Sequence, residues 1–217
     1  MSGPFPPDEF IPIAEQTGLI SDITRIALDR SCAFIRTYRE EHPGTAFRGV
    51  SVNFSSVQFI QDGLADEVLA IVERNKIPAS SLRIEVTESA IIANPQVVQD
   101  FMEVMHKHGV WFYLDDFGTG YSSLSTMIAL PFDVVKLDKS ILWSATAKDS
   151  PEPFLMHLIA CFKSIGSMIL SEGVETRDQH SFLKECGCDL MQGYLFSRPL
   201  PAEETAAVIA ESERALL

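Results

Sequence analysis

Two adjacent carboxylates, Asp115 and Asp116, directly follow a wholly apolar run at 110–114 and precede Phe-Gly-Thr-Gly. Adjacent carboxylates repel each other unless a cation lies between them, and their oxygens suit hard ions such as Mg²⁺ or Mn²⁺. A lone pair of aspartates more often marks a turn or a helix cap. Acids at the ends of neighbouring predicted strands favour the metal site here.

An acid or an amide lies at or near the carboxyl end of each of six predicted strands. These residues are Asn53, Glu85 with Glu88, Asp115 with Asp116, Asp138, Glu172 and Gln192. In an α/β barrel the active site lies at that end of the strands. An open doubly wound sheet would use fewer of them, at one switch point. The convergence therefore favours a barrel.

Lys136 and Asp138 are two residues apart on one predicted strand, so they share a face. We expect this pair to point into the barrel mouth, and Val135 and Leu137 to point toward the helices. Neighbouring carboxylates favour the charged form of Lys136. The ammonium could hold a phosphate or orient a water, or it could form a salt bridge between strands; the residues alone leave both interpretations open.

The elements that must position these residues alternate along the chain, which predicts a parallel sheet. The predicted strands cover 49–53, 82–88, 110–114, 134–138, 168–172 and 189–196. The predicted helices cover 10–15, 21–39, 61–75, 95 to about 109, 153–164, 178–185 and 202–217. Six strands in 217 residues is short of the roughly 250 residues of a complete barrel.

Composition limits the partners. With 17 basic and 30 acidic residues the net charge is −13, so extended DNA or RNA is a poor partner. A small anionic ligand stays compatible if metal ions neutralise the local carboxylates. No run approaches the roughly 18 apolar residues of a membrane span, no secretory signal is visible, and the four cysteines read as free thiols. These features predict a cytoplasmic protein.

Seven segments, in order, make the chain resemble the EAL domain, the bacterial cyclic di-GMP phosphodiesterase module. They are FIPIAEQTGLI (10–20), SVNFSS (51–56), LRIEVTES (82–89), LDDFGTGYSSL (114–124), LPFDVVKLDKS (130–140), SEGVET (171–176) and GCDLMQGYLFSRPLP (187–201). The resemblance covers nearly the whole chain, and the segments together are highly specific.

The resemblance implies a modified (β/α)8 barrel with two divalent metal ions, Mg or Mn, and in-line attack of water on one phosphodiester to give linear pGpG. It assigns metal binding to Asn53, Glu85, Asp115 and Asp116, and catalysis to Glu172, Lys136 and Asp116. It assigns substrate binding to Asp138, Glu175, Gln192 and Ser55, and loop support to Glu88. The loop at 116–123 resembles the one that links the site to dimerisation in this family. The resemblance also implies cyclic di-GMP as ligand, a homodimer, and an upstream sensor or GGDEF-type domain in a longer protein.

One part of the family pattern is missing from the sequence. The Glu-Ala-Leu motif and its Arg precede the FIPIAE segment in the family, so we expect one EAL-type domain over 1–217 with six barrel strands, lacking the first two. Two functions follow: a phosphodiesterase, or a catalytically impaired module that binds cyclic di-GMP or a protein partner. A Lys-x-Asp strand with acidic metal ligands also suits proton abstraction next to carboxylates, as in the enolase class.

Overall fold

The computed structural model describes residues 6–119, 130–146 and 153–214. Six strands are present: β1 (Val50–Phe54), β2 (Leu82–Thr87), β3 (Trp111–Phe117), β4 (Val134–Leu137), β5 (Met168–Ser171) and β6 (Leu190–Met191). The helices are α1 (Pro7–Thr17), α2 (Ile20–Glu41), α3 (Leu64–Arg74), α4 (Glu88–Ala93), α5 (Pro95–Lys107), α6 (Lys139–Ala145), α7 (Pro153–Ser164), α8 (Arg177–Glu185) and α9 (Ala202–Arg214). A 3₁₀ turn, Ala79–Ser81, precedes β2. None of the helices in these ranges is long and apolar enough to cross a membrane.

All six strands are parallel and lie in the order β1-β2-β3-β4-β5-β6. A doubly wound sheet would reverse its order at a switch point, and this sheet has no reversal. Among the residues that the structure describes, β1 and β6 each have a neighbour on one side only. The sheet is therefore a barrel wall of six strands with an open side, as the sequence predicts.

The two faces of the sheet bury different residues. On the outer face Phe112, Val135 and Leu137 belong to the main hydrophobic core, which packs against the helices. On the inner face a smaller cluster forms around Tyr113, Val134 and Leu170, with further apolar residues at its edge. Because alternate residues point to opposite faces, Val135 and Leu137 lie on the helix side, as predicted.

Local sequence signals set several helix ends. Pro95 occupies the first turn of α5, where its missing N–H costs nothing, and Gly109, with φ of 87°, follows the end of that helix. Thr176 and Gln179 form a capping box at the start of α8, each side chain accepting a backbone N–H. The box fixes where the loop after β5 turns into α8.

The last helix is tied to the other end of the chain through Glu213. Its carboxylate accepts hydrogen bonds from the Tyr38 hydroxyl (3.2 Å), the Thr45 hydroxyl and the Phe47 backbone N–H (2.9 Å). Hydrogen bonds, that from Thr45 foremost, lower the pKa of Glu213. Thus α9 is anchored beside the end of α2 and the segment that enters β1.

The structure corrects several predicted boundaries. The predicted strand at 189–196 is only Leu190–Met191, because the chain then turns at Gly193 and bonds to Val174 instead of a strand. Strands β4 and β5 end one residue early, at Leu137 and Ser171. Helices α4 and α6, of six and seven residues, were not predicted because they are too short for a hydrophobic period. Residues 120–123 of the loop at 116–123 lie outside the described ranges.

Candidate active site

A buried ammonium lies at the centre of the acidic cluster. Lys136 on β4 is 4% exposed, and its Nζ lies 2.8 Å from Glu85 Oε2, 2.7 Å from Asp115 Oδ1 and 2.9 Å from Glu172 Oε1. The three carboxylates come from β2, from β3 and from the residue after β5. One side chain therefore joins four neighbouring strands at their carboxyl ends.

The electrostatics of Lys136 follow from these contacts. Burial alone would lower the pKa of Lys136, but the charges of Glu85, Asp115 and Glu172 raise it above its ordinary value. The group is therefore charged throughout the physiological range. Both interpretations of Lys136 that the sequence left open remain, since the salt bridges are present and the ammonium also faces the barrel mouth.

The two adjacent aspartates differ in backbone and environment. Asp116 has φ of 56°, a left-handed conformation that a residue with a Cβ adopts at some cost. Its N–H donates to Asp115 Oδ1 at 3.1 Å, and the pair lies within β3 where the β3–β4 register shifts between Leu114 and Phe117. Burial, and then the charge of Asp115, raise the pKa of Asp116. Such like-charged neighbours favour a cation between them.

The turn after the aspartates is supported by the first residue of α4. Gly118 has φ of 103°, and a Cβ there would lie 2.5 Å from Ile141 Cδ1, so glycine is required. The N–H of Gly118 donates to Glu88 Oε1 at 3.3 Å, and Glu88 is 4% exposed. Glu88 therefore contacts the loop that follows the aspartates, the loop that the family resemblance predicted it to support.

Asn53 faces the same centre from β1. With its amide nitrogen toward the carboxylates, it donates to Glu85 Oε2 at 3.3 Å and to Asp115 Oδ2 at 3.2 Å. The strand register explains the approach, because Asn53 lies opposite Glu85 in the β1–β2 pair. All four predicted metal ligands, Asn53, Glu85, Asp115 and Asp116, therefore meet at one edge of the sheet.

The donor set fits a divalent cation. Asp115, Asp116 and Glu172 each offer an oxygen, and these atoms all lie within 4.8 Å of one another. Counting Glu85 as well, four carboxylates face one ammonium, a formal charge of −3. Burial raises the pKa of Glu172, although the charge of Lys136 acts in the opposite sense. Hard oxygen ligands of this kind suit Mg²⁺ or Mn²⁺.

A groove of about 730 Å³ opens from the centre along β1. Its walls include Asn53, Ser55, Asp115 and Asp116 together with apolar residues of α1 and α2. The Ser55 hydroxyl donates to the Glu15 carboxylate. Ser55 therefore lies on the wall of a space that reaches the acidic cluster.

A second, smaller cavity of about 230 Å³ adjoins the opposite side of the cluster. It is lined by Lys139, Trp143, Glu172, Gly173, Glu175, Gln192, Gly193 and Tyr194. Three predicted site residues, Glu172, Glu175 and Gln192, meet here. The sequence analysis missed Lys139, Trp143 and Tyr194, which come from α6 and from the turn after β6.

Asp138 takes a different position from the one expected. It is the N-cap of α6, where its carboxylate accepts the N–H of Ser140 at 2.8 Å. Burial acts to raise the pKa of Asp138, but the hydrogen bonds from Ser140 lower it. The expectation that Asp138 points into the barrel mouth with Lys136 assumed that β4 continues through it, whereas the strand ends at Leu137. Its charge still acts on Asp116.

Comparison with known proteins identifies the class. The sequence model of the EAL domain matches residues 2–199, and the chain belongs to this family. It is 37% identical over 205 residues to the bifunctional diguanylate cyclase/cyclic di-GMP phosphodiesterase MucR of Pseudomonas aeruginosa, covering 94% of this chain and 30% of MucR. It is 31% identical over 203 residues to the cyclic di-GMP phosphodiesterase PdeL of Escherichia coli, covering 94% of this chain and 56% of PdeL.

Solved structures agree with the family and the fold. A structure described as the PaMucR phosphodiesterase in complex with c-di-GMP superposes with a TM-score of 0.84 at 35% identity, over 92% of this chain and 80% of that one. The EAL domain of Mycobacterium smegmatis DcpA gives 0.81 at 30% identity, over 90% of this chain and 87% of that one. The barrel-type fold expected from the sequence is therefore confirmed.

Proposed function

We propose that this chain is a divalent-metal-dependent phosphodiesterase that hydrolyses cyclic di-GMP to linear pGpG. The observation that carries the proposal is the meeting of Glu85, Asp115 and Glu172, from three strands, around the buried Lys136. MucR and PdeL are both named as cyclic di-GMP phosphodiesterases, which supports the substrate.

Four residues would hold the metal ions. Asn53, Glu85, Asp115 and Asp116 place their polar atoms at one edge of the sheet, and Asp116 is held there by a left-handed backbone. Two divalent ions, when bound, would lower the pKa of an attacking water and stabilise negative charge on the phosphate oxygens. The acidic excess of the cluster suits such ions and opposes an anionic ligand without them.

The remaining residues would orient the substrate and move the proton. Lys136 would hold the attacking water or a phosphate oxygen through its N–H groups. Glu172, whose pKa is raised by burial, is suited to accept the proton. Glu88 would fix the loop after the aspartates through Gly118.

Other residues would bind the organic part of the ligand. Glu175 and Gln192 line the smaller cavity and Ser55 lines the groove along β1, so cyclic di-GMP would extend to both sides of the acidic centre. We also propose that Asp138 contacts the substrate, in addition to capping α6.

The wider setting of the chain is also a proposal. The chain spans 30% of MucR, whose name includes a diguanylate cyclase, which supports an upstream sensor or GGDEF-type domain in a longer protein. We propose a cytoplasmic homodimer, as the family resemblance implies.

The test is chromatography of cyclic di-GMP incubated with the chain and Mn²⁺. We expect pGpG to appear with the unmodified chain, to disappear with EDTA, and to be lost in Asp115→Asn. The matched control is Asp100→Asn, which changes an exposed acid on α5 in the same way.

Full-rate hydrolysis by Asp115→Asn would overturn the assignment of roles. If no product forms but calorimetry detects binding of cyclic di-GMP, the chain is a binding module rather than an enzyme. Circular dichroism of each variant establishes that the fold is retained.

A further inference from the structure

The smaller cavity holds two aromatic side chains that the proposed chemistry does not use. Trp143 is 44% exposed and Tyr194 is 54% exposed, and both line the same space of about 230 Å³. Half-exposed aromatic rings on a cavity wall commonly stack on flat ligands. Since Glu172 belongs to both the cavity and the acidic cluster, a ligand group bound here adjoins the site of reaction.

The walls of the cavity are fixed rather than loose. The Trp143 indole Nε1 donates to the Gly173 carbonyl at 3.4 Å, and Lys139 Nζ lies 5.5 Å from the centroid of the indole ring. Across the cavity, the Arg198 guanidinium lies 4.4 Å from the centroid of the Tyr194 ring. Each ring therefore has a partner that restrains its orientation.

Two glycines bring these walls together. A Cβ at Gly173 would lie 2.4 Å from Lys139 Cβ, and a Cβ at Gly193 would lie 2.2 Å from the Val174 carbonyl oxygen. The loop after β5 can therefore approach both α6 and the turn after β6 closely. Any larger side chain at either position would push the aromatic walls apart.

The polar groups around the rings match the edge of one base. Glu175 offers carboxylate oxygens, which accept hydrogen bonds, and Gln192 offers both a donor and an acceptor. Guanine presents N–H donors at N1 and N2 beside the acceptor O6. Adenine presents an acceptor at N1, which a carboxylate repels. The cavity therefore suits guanine better than adenine.

We infer that Trp143 is the stacking wall of a slot that binds one guanine base of the substrate, with Glu175 and Gln192 reading the edge of that base. The inference rests on the proposed function for its ligand. Trp143 is a specificity-determining residue in this assignment, and it takes no part in bond making or breaking.

The first measurement separates base binding from catalysis. The chain has two tryptophans, so Trp111→Phe leaves Trp143 as the only indole fluorophore. Titration of this variant in Mg²⁺ with GMP, AMP and inorganic phosphate is expected to change the emission with GMP, more weakly with AMP, and not with phosphate. Trp143→Phe, which keeps Trp111 at the start of β3, is the matched control and should show no change.

The second measurement is the kinetics of cyclic di-GMP hydrolysis. Loss of a base-stacking ring by alanine substitution weakens binding by roughly 5- to 160-fold. We expect Trp143→Ala to raise KM by a factor in this range with little change in kcat. Trp143→Phe, which keeps a ring but loses the bond to Gly173, should recover most of the affinity. A merely structural role would instead lower kcat, or would not be rescued by phenylalanine.

The outcomes distinguish this inference from the proposed function. Suppose that the unmodified chain hydrolyses cyclic di-GMP. An unchanged KM in Trp143→Ala, together with no change of Trp143 emission on addition of GMP, would then overturn the base-binding slot but not the proposed function. If GMP changes the Trp143 emission but no hydrolysis occurs, the slot stands and the enzymatic proposal fails. If neither GMP binding nor hydrolysis is detected, both fail.

Discussion

Replacing Lys136 by methionine should make the stability of the fold more dependent on divalent metal. The change removes an ammonium that is 4% exposed and lies within 2.9 Å of three carboxylates, while keeping a side chain of similar length. The formal charge of the cluster falls from −3 to −4 as a result. Leaving one side of a buried ion pair without its partner costs about 3–5 kcal/mol.

The expected loss can be placed within that range. The side chains of Glu85, Asp115 and Glu172 are 8%, 13% and 21% exposed, so water can reach the last two in part. We therefore expect about 3 kcal/mol of unfolding free energy to be lost in EDTA. For a domain of this size that corresponds to a fall in Tm of roughly 6–12 °C.

The assay is urea unfolding of the two proteins in EDTA and again with Mn²⁺. A bound ion stabilises the folded state by mass action, so Mn²⁺ should stabilise Lys136→Met more than the unmodified chain. Because the pKa of Lys136 is raised, its contribution is complete below the ordinary lysine pKa and is lost only as the pH rises through the folded value. The difference between the proteins should therefore persist at neutral pH.

The control is Lys107→Met, which removes an exposed ammonium at the end of α5. A surface change of this kind alters stability by less than about 0.5 kcal/mol. If Lys136→Met unfolded in EDTA like Lys107→Met, Lys136 would not be compensating the carboxylates. The electrostatic account of the site would then be wrong.

Three further measurements test the structure at and away from the site. Gly118→Ala should lower the unfolding free energy by about 1–3 kcal/mol and reduce hydrolysis, because the new Cβ would collide with Ile141. The control is Gly166→Ala, where φ is similar but no atom lies near the new Cβ. Thermal unfolding of this control measures the cost of the backbone strain alone. Burial raises the pKa of Cys32 to about 11, so near neutral pH its thiol should react with a disulfide reagent only after unfolding, and rapid native labelling would contradict its burial. Glu213→Gln should lower Tm, and the difference from the unmodified chain should shrink as the pH falls through the lowered pKa of Glu213; equal Tm values at neutral pH would show that the contacts of α9 do not stabilise the fold.

The sequence predicted that these polar side chains meet at one edge of the sheet, because strand geometry is regular. In parallel strands, carboxyl ends meet at one edge, so Asn53, Glu85 and Asp115 converge whatever the loops do. The alternation of side chains placed Lys136 on the inner face for the same reason. Short-range periodicity is sufficient to predict a site when its residues lie on strands that are adjacent in the sheet.

The same reasoning failed where strands give way to short helices. Asp138 was predicted to be the last residue of a strand, but it is the N-cap of α6. Because aspartate suits both positions, its residue type could not distinguish them. Trp143 lies on that seven-residue helix, which is too short to show a hydrophobic period. Its cavity also joins three separate parts of the chain, so Tyr194, which lines the same cavity, could be found only from the folded arrangement.

The sequential strand order bears on how the chain folds during synthesis. Each strand pairs with the one made just before it, so every new strand and helix can add to a growing sheet without waiting for distant parts of the chain. Glu213 is different, because it joins positions 175, 168 and 166 residues away. On a ribosome the sheet could therefore form step by step. The contacts of Glu213 with Tyr38 and with the segment before β1 would form only after the last helix emerges.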